Sequence, residues 1–420
     1  MKHQHVRFRV VGLVAAVTLP FGCAPKPAVD RPSEAPFVRF AQFNIALYSR
    51  DRDPEEVARR LATPDDPQVK KIAAIIQDVR PDLVLLNEID HDPTGRVAKL
   101  LQQNYLRVAQ GDGLQPIVYG YTYSPPVNTG VPSGVDLDND GRTDGPGDAF
   151  GWGHYPGQYG MLLLSRLDGD HRPLRNWRTQ RWIDTPGHLM PTDWYGDEAA
   201  QTMRLSSKTH AVVVGEIGGR LIGVHMSHPT PPAFDGPEDR NGKRNYDEIG
   251  LIVSNIEELT PLPLVVMGDL NADPNDGSSR PGAIAQLLEH PRIQDPESRS
   301  VGGVEAAARD GGVNQGHGTD PALDTADWRD TPPGSGNLRV DYVLPTTDWQ
   351  VIDAGVFWPT AADPRHDWID ASDHRLVWVD LRLADGPDQP SLACPAHQRS
   401  RDVPAEARGD DKMPASIAGR

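Results

Sequence analysis

The chain has 420 residues and a formal net charge of -17. That length buries a large core and excludes little, whereas the charge excludes a basic sleeve along nucleic acid, which needs many Lys and Arg to displace phosphate counterions. Forty Pro and forty Gly describe short elements joined by long, punctuated connections, and two cysteines, Cys23 and Cys394, cannot make the disulfide framework of a small secreted domain.

Met1 to Arg9 is basic, and Val10 to Gly22 is an apolar run of signal-peptide length, too short to span a bilayer as a helix. Residues 1–22 therefore read as an export leader. Gly22-Cys23 resembles the lipobox of bacterial lipoproteins, in which Cys23 becomes the lipidated first residue, although Pro20 and Phe21 depart from the usual pattern. A cell-envelope lipoprotein is expected ahead of a conventionally cleaved secreted protein. Residues 23–36 read as a Pro-rich tether, 37–383 as one domain with long loop insertions, and the polar 384–420 as a disordered tail.

Phe37 to Ile45 alternates apolar and polar residues, which predicts a first strand with Asn44 near its end. Helices are predicted over Glu55 to Leu61 and Gln68 to Val79, the second with Val69, Ile72, Ile76 and Val79 on one stripe and Pro81 as its stop. Asp82 to Glu88 is a buried strand delivering Glu88, and Arg96 to Leu106 the next helix. Val108 to Tyr159 is too long and polar for a simple connection. Within it Asp136, Asp138 and Asp140, then Gly141, Arg142 and Asp144, match the first half of an EF-hand-type calcium loop, but Gly147 stands where the closing Glu belongs. Two readings stay open, a free-standing Ca²⁺ loop closed by Asp148 or a remote ligand, and a solvated acidic turn.

Tyr159 to Arg166 predicts another strand, and Arg172 to Ala200 a Trp-rich lobe over one rim. Trp152, Trp177, Trp182 and Trp194 read either as a stacking rim or as packing anchors. Ala211 to Ile217 and Arg220 to His228 predict a hairpin turned by Gly218-Gly219, with Arg204 and Lys208 at its base expected as solvated strand-edge residues ahead of phosphate contacts. Ile249, Ile252, Ile256 and Leu259 predict a helix over Arg244 to Leu259. A Gly- and Asp-rich insertion fills 276–337, and Leu338 to Leu344, Trp349 to Phe357 and Arg375 to Leu383 predict the last strands.

The chain is organised around Pro263 to Asn275, PLVVMGDLNADPN. Leu262 to Met267 reads as a buried strand, Gly268 as the residue that permits a turn at its end, and Asp269 and Asn271 as one pleat apart on one face. A carboxylate there suits alignment of an attacking water and an amide suits a phosphoryl oxygen. The plainer reading is a turn, in which Asp, Asn, Gly and Pro are all common.

Several strands end in such residues: Asn44, Glu88, His225, Asp269 with Asn271, and Asp373 with His374, while Asp341 sits inside RVDYVL. The ordered series with GDLN, RVDYVL and SDH resembles the endonuclease/exonuclease/phosphatase superfamily, from about Phe37 to Leu383. The resemblance implies an α/β (α+β) fold, a two-layer β-sandwich of mixed sheets flanked by helices, with the site where the loops converge. It also implies roles. Glu88 would bind Mg²⁺ or Mn²⁺, with Asn44 beside it and Asp373 near the metal. Asp269 would orient or deprotonate the water, Asn271 would donate to the phosphoryl oxygen, and His374, held by Asp341, would be general base or electrostatic partner. His225 is expected as a second donor in preference to His228.

These residues predict an exported, monomeric, metal-dependent phosphoesterase. Its substrate is a phosphoester, small molecule or nucleic acid, with no stable nucleic-acid complex and no membrane contact beyond a lipid anchor. An extracellular nuclease of the same fold is the alternative, and a calcium-dependent surface binding protein without catalysis the third reading.

Overall fold

Near-continuous apolar runs and period-two alternation set the strands of the computed structural model, which describes residues 37–384. The expectations for the leader, Cys23, the tether, Cys394 and the tail lie outside the described residues. In chain order the strands are β1 (Val38–Leu47), β2 (Leu83–Ile89), β3 (Tyr121–Tyr123), β4 (Met161–Ser165), β5 (Arg172–Asn176), β6 (His210–Ile217) and β7 (Arg220–Ser227). They continue with β8 (Leu264–Asp269), β9 (Ala326–Asp327), β10 (Asn337–Leu338), β11 (Asp341–Pro345), β12 (Trp349–Phe357) and β13 (Leu376–Leu383). The α-helices are α1 (Glu56–Arg60), α2 (Pro67–Val79), α3 (Arg96–Leu101), α4 (Asp197–Thr202), α5 (Arg240–Glu258), α6 (Ala285–Leu288) and α7 (Val301–Asp310).

Two mixed sheets form the sandwich. The first has the order β12-β13-β1-β2-β4-β3, the second β11-β8-β7-β6-β5. In each, one parallel pair, β1 with β2 and β7 with β8, sits among antiparallel neighbours. Alternation sorts the second sheet's faces: Ala211, Val213, Val224, Met226, Val265, Met267 and Val343 join the core that includes the first sheet. Val212, Val214, Leu264, Val266, Tyr342 and Leu344 pack on the other side with Ile249, Ile252 and Ile256 of α5.

Helix α2 follows its sequence signals. Asp66 caps it by accepting from Val69 N, Pro67 opens it, and Arg80 ends it in a left-handed conformation before Pro81. Elsewhere the sequence reading needed correction. The predicted lobe starts with a strand, β5, paired antiparallel with β6, and α5 begins at Arg240 rather than Arg244. The insertion contains α7, although its second and third residues are glycines. A Cβ on Gly302 would lie 2.0 Å from the Trp358 carbonyl oxygen and one on Gly303 2.5 Å from that of Pro321, so these glycines allow close packing instead of marking a loop. Gly268 likewise lies within β8. It makes no sharp turn, and its missing side chain leaves room for the Ser227 carbonyl oxygen, 2.1 Å from where a Cβ would stand.

Candidate active site

The end of the sandwich gathers polar side chains from both sheets. From the second sheet, Asp269 ends β8 and pairs in register with Asp341, which opens β11. From the first, Asn44 Nδ2 donates to Asp269 Oδ2 at 3.0 Å, and Gln42 Nε2 donates to Asp341 Oδ1 and to Asn87 Oδ1, both at 3.0 Å. His374 lies between the two carboxylates, with Nδ1 2.8 Å from Asp341 Oδ2 and Nε2 3.8 Å from Asp269 Oδ2. Thr325 Oγ1 donates to the same Asp341 oxygen at 2.8 Å. His228 Nε2 stands 3.3 Å from Asp269 Oδ2, and neither of its ring nitrogens has a hydrogen-bond partner among the described residues.

Backbone distortion completes the cluster. Strict alternation after Asn87, which faces the opposing sheet, would send Glu88 to the other side of β2. Its φ of 57° instead turns it so that its carboxylate groups with His228 and Asp269, their ligand atoms all within 4.8 Å of one another. Ala46 and Asn271 also have positive φ, 46° and 52°, and a register shift interrupts β1 against β2 between Asn44 and Leu47. Such strain is retained where neighbours enforce it, and it clusters at working sites. Asn271 therefore owes its place to a left-handed turn and not to the pleat: its backbone N donates to Asp269 Oδ1 at 3.0 Å and its Nδ2 to Pro229 O at 3.2 Å.

Charge is distributed unevenly. Burial pushes the Glu88 carboxyl up to about 7, and Asp269 adds to the rise. Burial opposes charge on His374, yet Asp341 and Asp269 override it and raise the imidazole to about 10. Burial also raises Asp341, to about 6. The proton shared by this pair belongs on His374, because two carboxylates face the ring and only burial opposes the charge. Asp269, although buried, is held well below the usual carboxylate range by His374, His228 and the Asn44 amide. Burial and nearby Lys208 keep His228 neutral, at about 4. At neutral pH the cleft thus holds an ionised Asp269, a charged His374 and a neutral His228. Glu88 accepts no hydrogen bond from the described residues, and with Asp269 it offers hard oxygen donors of the kind a divalent cation takes.

The profile of the Endonuclease/Exonuclease/phosphatase family matches residues 41–374. The chain belongs to the endonuclease/exonuclease/phosphatase family. Members of this family are hydrolases that act on phosphoester bonds. No curated protein matches the chain. Similar solved structures include a family protein from Beutenbergia cavernae DSM 12333, 20% identical, with 83% of this chain and 72% of that one covered and a TM-score of 0.45. Truncated Caenorhabditis elegans TDP2 is 14% identical, with 83% and 98% covered and a TM-score of 0.40. Bacteroides thetaiotaomicron VPI-5482 mannosyl-6-phosphatase Bt3783 is 11% identical, with 82% and 100% covered and a TM-score of 0.44.

Within the endonuclease/exonuclease/phosphatase fold of this chain, Asn44, Asp269, Asn271, Asp341, His374 and Glu88 converge, and three other sequence expectations meet a different placement. His225 does not reach the site. It pairs with Val212 and Val266 in register and shares their parity, so it points toward α5, where its Nε2 meets Asn255 Nδ2 at 3.1 Å. His228, two residues beyond Met226 on the inward parity, occupies the place expected for it. Asn44 donates its amide to Asp269 and accepts at Oδ1 from Ala46 N, which holds it beside the Asp269 carboxylate. Asp373 is exposed, accepts from the Trp328 indole at 2.9 Å, and belongs to none of the metal-capable groups among the described residues. In the acidic loop, Asp136 and Asp138 group with Asp148. Asp140 and Asp144 are drawn off by Arg142, through its backbone N and its guanidinium. Gln42, Asn87, Thr325 and Trp328 were not legible as site residues. Trp328 stands edge-on to His374, 5.3 Å between centroids.

Proposed function

We propose that the protein is an exported, divalent-metal-dependent phosphoesterase that hydrolyses its substrate by in-line attack of water. One observation carries the proposal: Glu88, His228, Asp269, Asp341 and His374, which come from strands and loops far apart in sequence, meet in one cleft with opposite charges in contact. Glu88 would hold Mg²⁺ or Mn²⁺ with Asp269 and His228 in reach, and the metal would supply Lewis-acid polarisation of a phosphoryl oxygen. Asp269, ionised and fixed by Asn44 and the Asn271 backbone, aligns the water and takes its proton.

His374 carries its proton at neutral pH, so it acts as an electrostatic donor to the phosphoryl group and not as the base, which narrows the sequence expectation. Asp341 fixes its ring orientation, with Nδ1–H directed at Oδ2 and Nε2–H toward the cleft. His228, neutral and without hydrogen-bond partners, is placed to donate to the phosphoryl or leaving-group oxygen, and Asn271 to share the developing charge. The P–O bond to the leaving group breaks as the bond to water forms, the departing oxygen takes a proton from solvent water, and Asp269 returns the proton it took to solvent.

A phosphate-release and ester-cleavage screen over nucleotides, phytate, sugar phosphates, lipids and DNA tests the proposal. Metal-dependent turnover abolished by Asp269→Ala supports it. Absence of turnover on every ester with Mg²⁺, Mn²⁺ or Ca²⁺ would overturn it, and plasmid as the preferred substrate would select the nuclease reading.

A further inference from the structure

A cavity of about 580 Å³ opens beside Glu88, within the range of small-molecule sites. One wall comes from the long polar stretch after β3, through Leu137, Gly147, Ala149 and Trp152, and another from the segment after β7, through Thr230, Pro231 and Phe234. The acidic loop therefore closes over the catalytic end and is not a free appendage.

The cavity's lining is divided. Tyr48, Tyr159 and Trp152 form a run of rings, Tyr48 to Tyr159 at 4.6 Å and Tyr159 to Trp152 at 6.2 Å between centroids. Glu88 acts on the ionisation of both phenols, which places the run against the catalytic carboxylate. Trp152 is 50% exposed and Phe234 96%, so two large aromatic side chains face solvent at a cavity where folding gains nothing by holding them. Trp177 and Trp182, by contrast, are buried in the second core, and their packing accounts for them. Lys208 lines the same cavity. It is buried, donates to Pro229 O at 3.4 Å, and burial lowers its pKa while the Glu248, Glu88 and Asp269 carboxylates oppose that fall.

Resting on the phosphoesterase reading above, we propose that this cavity holds the leaving group, and that this group is a nucleoside-sized alcohol whose planar ring stacks on Trp152 and Tyr159. Lys208 meets a phosphoryl oxygen at the junction. The cavity's volume of about 580 Å³ suits one ring-bearing small molecule.

The test compares adenosine 5′-monophosphate with ribose 5-phosphate, and the methyl diesters of both scored by release of methyl phosphate, so that a 5′ primary alcohol departs in each case and only the ring differs. Stacking predicts a kcat/KM roughly tenfold to hundredfold higher for the ring-bearing member, a ratio that falls toward one in Trp152→Ala and is kept by Trp152→Phe. Adenosine binding, followed by tryptophan fluorescence and calorimetry, gives a readout independent of turnover. Equal kcat/KM within either pair, with no adenosine binding, overturns the pocket assignment and leaves the phosphoesterase reading intact, as does a duplex oligonucleotide cleaved faster than both members. If no ester is hydrolysed but adenosine binds and Trp152→Ala abolishes it, the phosphoesterase reading fails and the pocket stands. If neither occurs, both fall.

Discussion

Asp341→Asn probes the account through a near-isosteric change. Three donors converge on the native carboxylate: His374 Nδ1–H and Thr325 Oγ1–H on Oδ2, and Gln42 Nε2–H on Oδ1. Thr325 Oγ1 already accepts from Val340 N and Asp341 N, so its own hydrogen must go to Asp341. An amide there presents one oxygen and turns an N–H toward a donor, so at least one buried hydrogen bond is lost, at about 1–3 kcal/mol of stability. The larger effect is on His374. Its rise from 6.5 to about 10 is held by two carboxylates against burial, which at about 1.4 kcal/mol per pKa unit is on the order of 5 kcal/mol. Asp341 is the nearer and stronger partner, so its neutralisation removes at least half of that. We expect kcat/KM to fall by roughly 10²–10⁴. The wild-type rate should fall only as pH rises toward about 10, whereas the variant's alkaline limb should move down by about two units or more. A pH–rate profile on a model phosphodiester with saturating Mg²⁺ measures both. Wild-type kcat/KM together with an unmoved alkaline limb would refute the assignment of the proton to His374.

The remaining expectations concern neighbouring groups. His225→Gln should lower Tm through its lost contact with Asn255 while kcat/KM stays within about twofold, whereas His228→Ala should cost about 10² in kcat/KM; the reverse pattern would restore His225 to the site. Glu88 folds with its carboxyl raised to about 7, so without metal the native state binds more protons than the unfolded chain between about 4.5 and 7, and stability should fall as pH rises through that window. Bound metal takes the ionised form, so Mg²⁺ affinity should drop about tenfold per pH unit below 7 and saturating Mg²⁺ should flatten that slope, as read by melting at graded pH and metal concentration. Glu88→Gln should remove both effects. Asn44→Ala should leave metal affinity near wild type and lower kcat about tenfold or more, because its amide positions Asp269; an equal loss of metal affinity would make it a ligand after all.

How much of this was legible in the sequence follows from what each signal measures. Periodicity gave the strands and α2 because burial on one face imposes it, and the strand-end series carried Glu88, Asp269, Asp341 and His374 to one cleft. Parity could have corrected His225: His228 lies two positions from Met226, which is inward, whereas His225 is its immediate neighbour. The alternation that would place Glu88 is broken by its own left-handed backbone, so it reached the cleft for a reason the pattern does not contain. Gln42, Asn87 and Thr325 are ordinary polar residues until the two sheets face each other, since their partners lie across the sandwich. Helix α7 was hidden by Gly302 and Gly303, whose function is contact with the carbonyls of Trp358 and Pro321.

The central claim is that Glu88 holds a divalent cation against Asp269 and His228. Crystals of the protein soaked in Mn²⁺ and measured at the manganese absorption edge test it most directly. The account predicts an anomalous peak roughly 2 Å from the Glu88 carboxylate, absent in Glu88→Gln crystals treated alike. An empty Glu88 site in the wild type, with manganese only at Asp136, Asp138 and Asp148 or nowhere, would contradict it.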